Sequence, residues 1–186
     1  QPGRARPATI LTMQPVQEAL VYVVDDDESV RQALAWLLRS RGLQTQCFDS
    51  AEGLIAHLGL DHTPALPQQA CCLLLDVRMP GMSGIELQHE LNRRGAIIPV
   101  IFISGASTTR ETVLAMKAGA HEFLAKPVAS KVLVEAIESA LVKHRMLLHD
   151  AARRARAAQS LDMLSARERE VFWLIARGCN TSQIVE

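Results

Sequence analysis

The sequence has no long apolar run. Hydrophobic residues make up 48% of the 186-residue chain, but they never form an uninterrupted stretch of about 18, the length of a candidate membrane-spanning helix. The amino terminus is also a poor signal peptide, because only Ile10 and Leu11 stand where such a peptide has its apolar core. We therefore expect a protein without a membrane-spanning segment.

Clusters of cysteine and histidine are missing as well. The four cysteines do not have the spacing of metal ligands, and the adjacent pair Cys71 and Cys72 is poorly placed for a disulfide. Reduced thiols are typical of the cytoplasm, which is the compartment that we expect. The histidines form no group either, and we expect them to lie at the surface: His57, His62, His89, His121, His144 and His149.

Neither sign of charge is in excess. The chain has 20 basic and 20 acidic residues, so its formal net charge is zero. The balance is nevertheless uneven, because residues 1–142 carry 12 basic and 15 acidic residues (net −3) and residues 143–186 carry 8 and 5 (net +3). A basic end behind an acidic region is a weak indication of nucleic-acid contact near the carboxyl terminus.

Acidic residues stand at the ends of two strand-like runs. Asp25 and Asp26 directly follow the apolar run 21–24, and Asp76 follows the run 71–75. In an α/β fold, parallel strands bring their carboxyl ends to one edge of the sheet, where such folds bind ligands. Two carboxylates about 4 Å apart repel by roughly 4 kcal/mol at an effective dielectric constant of 20. The pattern therefore predicts that one of these carboxylates is protonated or that a cation lies among them, and an oxygen-only ligand set favours Mg²⁺ and phosphoryl transfer.

Two further runs complete the pattern. The run 100–103 ends in Ser104, and the run 122–125 ends in Lys126, so successive strand ends supply carboxylates, a hydroxyl and an amine. Asp27 is better placed to cap the helix that follows it than to bind a metal. Strand-like and helix-like periods alternate along this part of the chain, which predicts a parallel sheet covered on both faces.

Together these residues resemble the receiver domain of bacterial two-component response regulators. The resemblance covers about residues 20–145, and the intervals of 28 residues from Asp76 to Ser104 and 22 from Ser104 to Lys126 are usual for that family. The matching segments are Asp25-Asp26, the stretch 76–84 (DVRMPGMSG), Ser104-Gly105, and Lys126-Pro127 after the stretch 115–120 (AMKAGA).

The resemblance implies a fold. We expect a flavodoxin-like (βα)5 receiver over residues 20–143, with a five-stranded parallel sheet in the order 2-1-3-4-5. A polar, proline-containing loop at residues 59–69 lengthens the interval between Asp26 and Asp76 to 50 residues. An insertion there lies away from the active edge of the sheet.

The resemblance also implies catalytic and metal-binding roles. Asp76 would be the phosphoacceptor. Asp26, Asp76 and the backbone carbonyl of Arg78 would ligate Mg²⁺, with Asp25 binding it through a water molecule. Lys126 would neutralise charge on the transferring oxygens, so that catalysis consists of positioning and electrostatics.

A switch is implied as well. Ser104 would rotate to meet the phosphoryl group, and Phe123, three residues before the lysine, would turn into the space that Ser104 leaves. The peptide bond before Pro127 would be cis. The repacked surface of the fourth helix, fifth strand and fifth helix would then favour a homodimer.

The carboxyl-terminal part predicts two helices. Residues 144–163 continue the fifth helix as a linker with a weak heptad seam, a possible coiled coil. Residues 164–186 resemble the start of a LuxR-type helix-turn-helix domain of the FixJ-like branch, opening with a capping box of Ser165 and Glu168. The recognition helix is missing, so the DNA-binding residues are unknown. We expect sequence-specific DNA binding by the full-length protein and not by this fragment, whose tail could make only weak, salt-sensitive contact. We also expect incomplete folding from about residue 165.

We also make predictions for the two ends of the sequence. Residues 1–19 are expected to be disordered or an upstream extension, with Met13 as the natural start. The chain as a whole is expected to be a fragment of a longer regulator.

Three functions remain open at this point. The first is a regulator that is phosphorylated by a sensor histidine kinase, catalyses only its own phosphorylation and dephosphorylation, and controls transcription. The second is a phosphatase of the haloacid-dehalogenase type, in which Asp25 would be the nucleophile, although Ser29 does not match the last position of that motif. The third is a receiver that binds partner proteins without being phosphorylated.

Overall fold

Five parallel strands form a single sheet in the computed structural model, which describes residues 19–59, 69–105 and 107–177. Some of the predictions concern residues outside this part of the chain. These are residues 1–18, most of the polar loop and the last nine residues. The strands lie in the order β2-β1-β3-β4-β5, so the predicted fold is confirmed. They are β1 (Leu20–Val24), β2 (Gln44–Phe48), β3 (Cys71–Asp76), β4 (Val100–Ser104) and β5 (Glu122–Ala125).

Six helices connect and extend the described strands, and polar caps set where most of them begin. Asp27 caps the first helix by accepting hydrogen bonds from the amides of Ser29 and Val30, as the sequence predicts. Three later helices start with capping boxes, including the predicted pair of Ser165 and Glu168. The helices are α1 (Glu28–Ser40), α2 (Ala51–His57), α3 (Gly84–Arg93), α4 (Thr109–Lys117), α5 (Ser130–Asp162) and α6 (Ala166–Ala176).

Apolar packing covers both faces of the sheet. All six residues of β3 are buried, as expected for a central strand of a parallel sheet. Because side chains alternate along a strand, Leu73 and Leu75 join one hydrophobic cluster, and Cys72 and Leu74 join the other. The two clusters hold the end of β3, and therefore Asp76, in a fixed position.

His144 is buried, so the expectation of a surface position is wrong for this residue. The backbone amide of Cys71, at the start of β3, donates a hydrogen bond of 2.8 Å to His144 Nδ1. In the described part of the chain, His144 Nε2 is buried without a hydrogen-bond partner. The first four turns of α5 pack on the sheet through Leu133, Ile137 and Leu141, and His144 continues that buried face.

The chain divides into two compact units, residues 1–144 and 145–186. The first contains the sheet. The second contains the rest of α5 and the helix α6, whose apolar residues Phe172, Trp173 and Ile175 are 41%, 53% and 59% exposed. Residues 166–176 are helical and none of them is buried, so the incomplete folding expected from about residue 165 stays a prediction. No helix of the described residues is both long and apolar enough to cross a membrane.

Candidate functional site

A lysine joins two buried carboxylates at the carboxyl ends of the strands. Lys126 Nζ donates hydrogen bonds to Asp25 Oδ2 at 2.7 Å and to Asp76 Oδ1 at 2.8 Å. Asp25 directly follows β1, and Asp76 ends the neighbouring strand β3. Lys126 directly follows β5, and its side chain reaches past the end of β4 to both of them. The structure thus brings together three of the residues that the sequence singles out.

Backbone amides fix the orientation of both carboxylates. The amide of Arg78 donates to Asp76 Oδ2 at 2.6 Å, and the amide of Asp27 donates to Asp25 Oδ1 at 2.9 Å. Asp25 is only 3% exposed and Asp76 only 8%. All four carboxylate oxygens therefore accept a hydrogen bond, which holds the two side chains in one arrangement.

The lysine supplies the positive charge that these two carboxylates require. Burial lowers the pKa of Lys126, but its hydrogen bonds to Asp25 and Asp76 outweigh that effect and hold the pKa above its ordinary value. Lys126 is therefore an ammonium ion at neutral pH.

The expected cluster of three carboxylates does not form in this arrangement. Asp26 is exposed, and no three acidic, histidine or cysteine side chains among the described residues are grouped so as to hold a metal ion. The physical reason is that the Lys126 ammonium lies between Asp25 and Asp76 and already offsets part of their charge. The donor chemistry still suits Mg²⁺, because carboxylate and carbonyl oxygens are the ligands that this ion prefers.

Ser104 and the bond before Pro127 lie beside this group. Ser104 ends β4, is 3% exposed, and pairs in register with Ala125 of β5. Its carbonyl oxygen accepts a hydrogen bond of 2.7 Å from the amide of Lys126. The peptide bond between Lys126 and Pro127 is cis, which confirms that prediction.

Phe123 belongs to one of the two hydrophobic clusters. It lies two residues before the end of β5, is half-buried, and its ring stacks on Phe102 with 5.8 Å between the ring centroids. Phe102 is fully buried in β4, so Phe123 packs at the margin of the core.

Sequence reasoning assigned no structural role to Gly84, the first residue of α3. A methyl group on Gly84 would lie 2.1 Å from the carbonyl oxygen of Asp76, and the Gly84 amide donates to the Val77 carbonyl at 3.0 Å. The start of α3 therefore approaches the backbone of the phosphoacceptor candidate too closely for any side chain. The glycine at the start of a capping-box helix was visible in the sequence, but its close approach to the Asp76 backbone was not.

Arg78 makes a second contact that the sequence did not indicate. Its guanidinium lies 3.5 Å from the carboxylate of Glu111, which also accepts a hydrogen bond from the amide of Thr108 at the start of α4. The loop after Asp76 is thus linked to the first turn of α4.

The comparison with protein families agrees with this geometry. The model of the response regulator receiver domain matches residues 21–138, well over half of the chain. The chain belongs to the response regulator receiver family. Members of this family are regulators of two-component systems, and the residues matched include Asp25, Asp76, Ser104 and Lys126.

Similar proteins are response regulators or transcriptional regulators by name. The response regulator protein TmoT of Ectopseudomonas mendocina is 40% identical over 87% of this chain and 70% of its own length. The transcriptional regulatory protein FixJ of Azorhizobium caulinodans is 38% identical over 85% of this chain and 72% of its own length. The solved structure of the response regulator StyR has 41% identity and a TM-score of 0.78, covering 90% of this chain and 81% of that one. These relatives associate this receiver with the regulation of transcription.

Proposed function

We propose that this receiver accepts a phosphoryl group on Asp76 from a phosphohistidine of a sensor histidine kinase. An oxygen of the Asp76 carboxylate would attack the phosphorus atom and form a new P–O bond. The P–N bond would break, the imidazole nitrogen would keep the electron pair, and it would take a proton from solvent. The product is an acyl phosphate on Asp76 and a free histidine on the kinase.

The observation that carries this proposal is the position of Lys126 between the two carboxylates. Its ammonium is already hydrogen-bonded to Asp76 Oδ1, so it is close to any group that becomes attached to that carboxylate. A cation held next to the transferring group stabilises the charge that develops there. The two amide hydrogen bonds at Asp25 and Asp76 keep the acceptor aligned.

The same proposal includes Mg²⁺. Asp26, Asp76 and the carbonyl of Arg78 would hold the ion, with Asp25 contributing through water, and the ion would neutralise charge on the phosphoryl oxygens. Asp26 is exposed and follows Asp25 in the chain, so its side chain has room to turn towards Asp76. Lys126 would then move from Asp25 towards the phosphoryl group.

The consequence of phosphorylation would be a change at the surface formed by α4, β5 and α5. The hydroxyl of Ser104 would donate to a phosphoryl oxygen, and Phe123 would turn inward from its half-buried position. The exposed face of α4 supports a homodimer as the outcome, because Val113, Leu114 and Met116 are 45%, 44% and 43% exposed.

In the full-length protein, the output would be DNA binding in the cytoplasm. Residues 144–163 would act as a linker helix and residues 164–186 as the start of a LuxR-type helix-turn-helix domain. The capping box that starts α6 and the name of the relative FixJ, a transcriptional regulatory protein, support this interpretation of the tail.

Phosphorylation of the purified chain by acetyl phosphate tests the central step. With Mg²⁺ present, we expect a mass increase of one phosphoryl group, located by peptide mapping at Asp76. Asp76→Asn should abolish the increase, because an amide is not a nucleophile for phosphorus.

Asp25→Asn serves as the control that separates this proposal from the phosphatase alternative. In the present proposal, it slows the reaction, and the phosphoryl group remains on Asp76. If the modified peptide instead contains Asp25, or if Asp76→Asn gains the phosphoryl group at the wild-type rate, Asp76 is not the acceptor.

A further inference from the structure

Helix α5 changes its charge along its length. Residues 130–144, in the first unit, contain two lysines and two glutamates. Residues 145–162, in the second unit, contain four arginines against two aspartates. The part of α5 in the first unit is therefore neutral, and the part in the second unit is basic.

The arginines are not spread evenly around the helix. At about 100° per residue, positions 145, 149, 153 and 156 lie within about 80° of one another. We call Arg145, His149, Arg153 and Arg156 the basic face of α5. Arg154 is not part of this face, because it lies about 100° around the helix from Arg153, nearer the apolar residue Ala158.

The side chains of the basic face are available to a ligand. All four residues are exposed. Arg153 makes a loose ion pair with Asp150, with 3.7 Å between the charged atoms and 75% of the arginine side chain exposed. An exposed pair of this kind contributes about 0–1 kcal/mol, so a stronger anion can replace the aspartate.

We propose that the basic face of α5 contacts the phosphate backbone of duplex DNA. This inference rests on the proposed DNA-binding output and adds a contact surface outside the helix-turn-helix. Arg145 and Arg156 are about 16 Å apart along the helix axis at about 1.5 Å per residue. Duplex DNA carries one phosphate charge per about 1.7 Å of its axis, so a face of this length meets several phosphates. Arginine suits them because its guanidinium binds phosphate oxygens in pairs.

The opposite side of the same helix is compatible with this use. Leu148, Ala151, Ala155 and Ala158 form an apolar seam that lies about 140° around the helix from the basic face. A second copy of the chain could pack on the seam without covering the arginines. Because phosphate contacts carry no base information, the basic face would add affinity and not specificity.

Fluorescence anisotropy with a labelled random-sequence duplex of about 30 base pairs tests the proposal on the whole chain. The test variant is Arg145→Ala/Arg153→Ala/Arg156→Ala. The matched control is Arg39→Ala/Arg41→Ala/Arg110→Ala, which removes three exposed arginines from the first unit. Alanine is the best helix former, so circular dichroism should show that α5 persists in the test variant. Arg→Lys at the same three positions keeps the charge.

At low salt we expect weak binding by the wild-type chain, weakened about tenfold in the test variant and little changed in the control. Each lost phosphate contact reduces the slope of log K against log salt by about 0.9, so three should reduce it by about 2 to 3. The lysine variant should keep most of the slope. Phosphoryl uptake on Asp76, measured by mass, should be the same in all variants, so a failure of DNA contact is distinct from a failure of phosphorylation.

Several results would overturn the proposal. They are no wild-type binding at 25 mM salt, equal losses in the test and control variants, or an unchanged salt slope in the test variant. Binding to vesicles of anionic phospholipid but not to the duplex would assign the basic face to a membrane surface instead.

Discussion

At the scale of single residues, Lys126 balances the charge of the site. We expect Lys126→Met to destabilise the protein by about 1–3 kcal/mol at pH 7, because it leaves Asp25 and Asp76 as buried, unpaired carboxylates. Breaking a fully buried pair costs about 3–5 kcal/mol, and the 26% exposure of the lysine side chain reduces this figure. Urea denaturation measures the difference.

The difference in unfolding free energy between wild type and Lys126→Met should depend on pH, because the pKa of Lys126 is raised. A raised pKa means that the stabilisation is complete below the ordinary lysine pKa and is lost as the pH rises through the folded value. The difference in stability between wild type and Lys126→Met should therefore decrease as the pH rises above about 10.5. Lys131→Met, which removes a lysine side chain that is 86% exposed, is the control and should change stability by under about 0.5 kcal/mol. Equal effects of the two substitutions would refute the role of Lys126.

His144 gives a second prediction at this scale, for acidic solution. Burial lowers the pKa of His144 below its ordinary value, so the unfolded chain binds a proton more readily than the folded one. Stability should therefore fall as the pH drops below about 6.5, the ordinary value. Protonation would also place an N–H opposite the Cys71 amide that now donates to Nδ1.

The acid response of the wild type is compared with that of His144→Gln. The glutamine side-chain oxygen can still accept a hydrogen bond from the Cys71 amide, and the glutamine side chain does not titrate. Thermal melts between pH 7 and pH 5 should show a smaller loss of stability in this variant than in the wild type. His149→Gln, at an exposed position of the same helix, should behave as the wild type. An identical acid response of wild type and His144→Gln would mean that another group controls it.

At the scale of secondary-structure elements, the contact between α3 and β3 constrains the site. Gly84→Ala should destabilise the protein by about 1–3 kcal/mol, the usual cost of overpacking, because the new methyl group would lie 2.1 Å from the Asp76 carbonyl oxygen. The displacement of β3 should also slow phosphorylation by acetyl phosphate. Gly105→Ala is a matched control, since its methyl group would meet the Lys126 side chain at ordinary contact distances, 3.9 Å from Cδ and 4.0 Å from Cβ.

If Gly84→Ala has the same stability and the same rate of phosphorylation as Gly105→Ala, α3 can shift without a cost in stability. Chemical denaturation and the rate of mass increase are the two measurements.

The positions of the strand ends could be predicted from the sequence, but the contacts between distant elements could not. The strand ends at Asp25, Asp76, Ser104 and Lys126 were predictable, because each follows a short apolar run and parallel strands end at one edge. The bridging position of Lys126 was not, because local sequence does not say which cation balances a pair of carboxylates. The burial of His144 was missed for a similar reason. Its partner is a backbone amide 73 residues away, and an isolated histidine carries no signal of such a contact.

At the scale of the whole molecule, the division into two units predicts independent stability of the first. Both hydrophobic clusters consist of residues within 19–141. A chain ending at Leu148 keeps these clusters and His144. We expect its unfolding free energy to lie within about 1 kcal/mol of that of the full chain, or about 2–8 °C in melting temperature. A loss of several kcal/mol would mean that residues 149–186 stabilise the sheet.

The two buried cysteines of β3 provide a built-in measure of how often the sheet opens. Neither Cys71 nor Cys72 has exposed surface, and burial raises the pKa of Cys71 to about 12 and that of Cys72 further. Alkylating reagents need an accessible thiolate, so these thiols react only in molecules whose central strand has left the sheet. Cys47, which is exposed, is modified without such opening. The slow phase of alkylation therefore counts the openings of the strand that carries Asp76, without any added label.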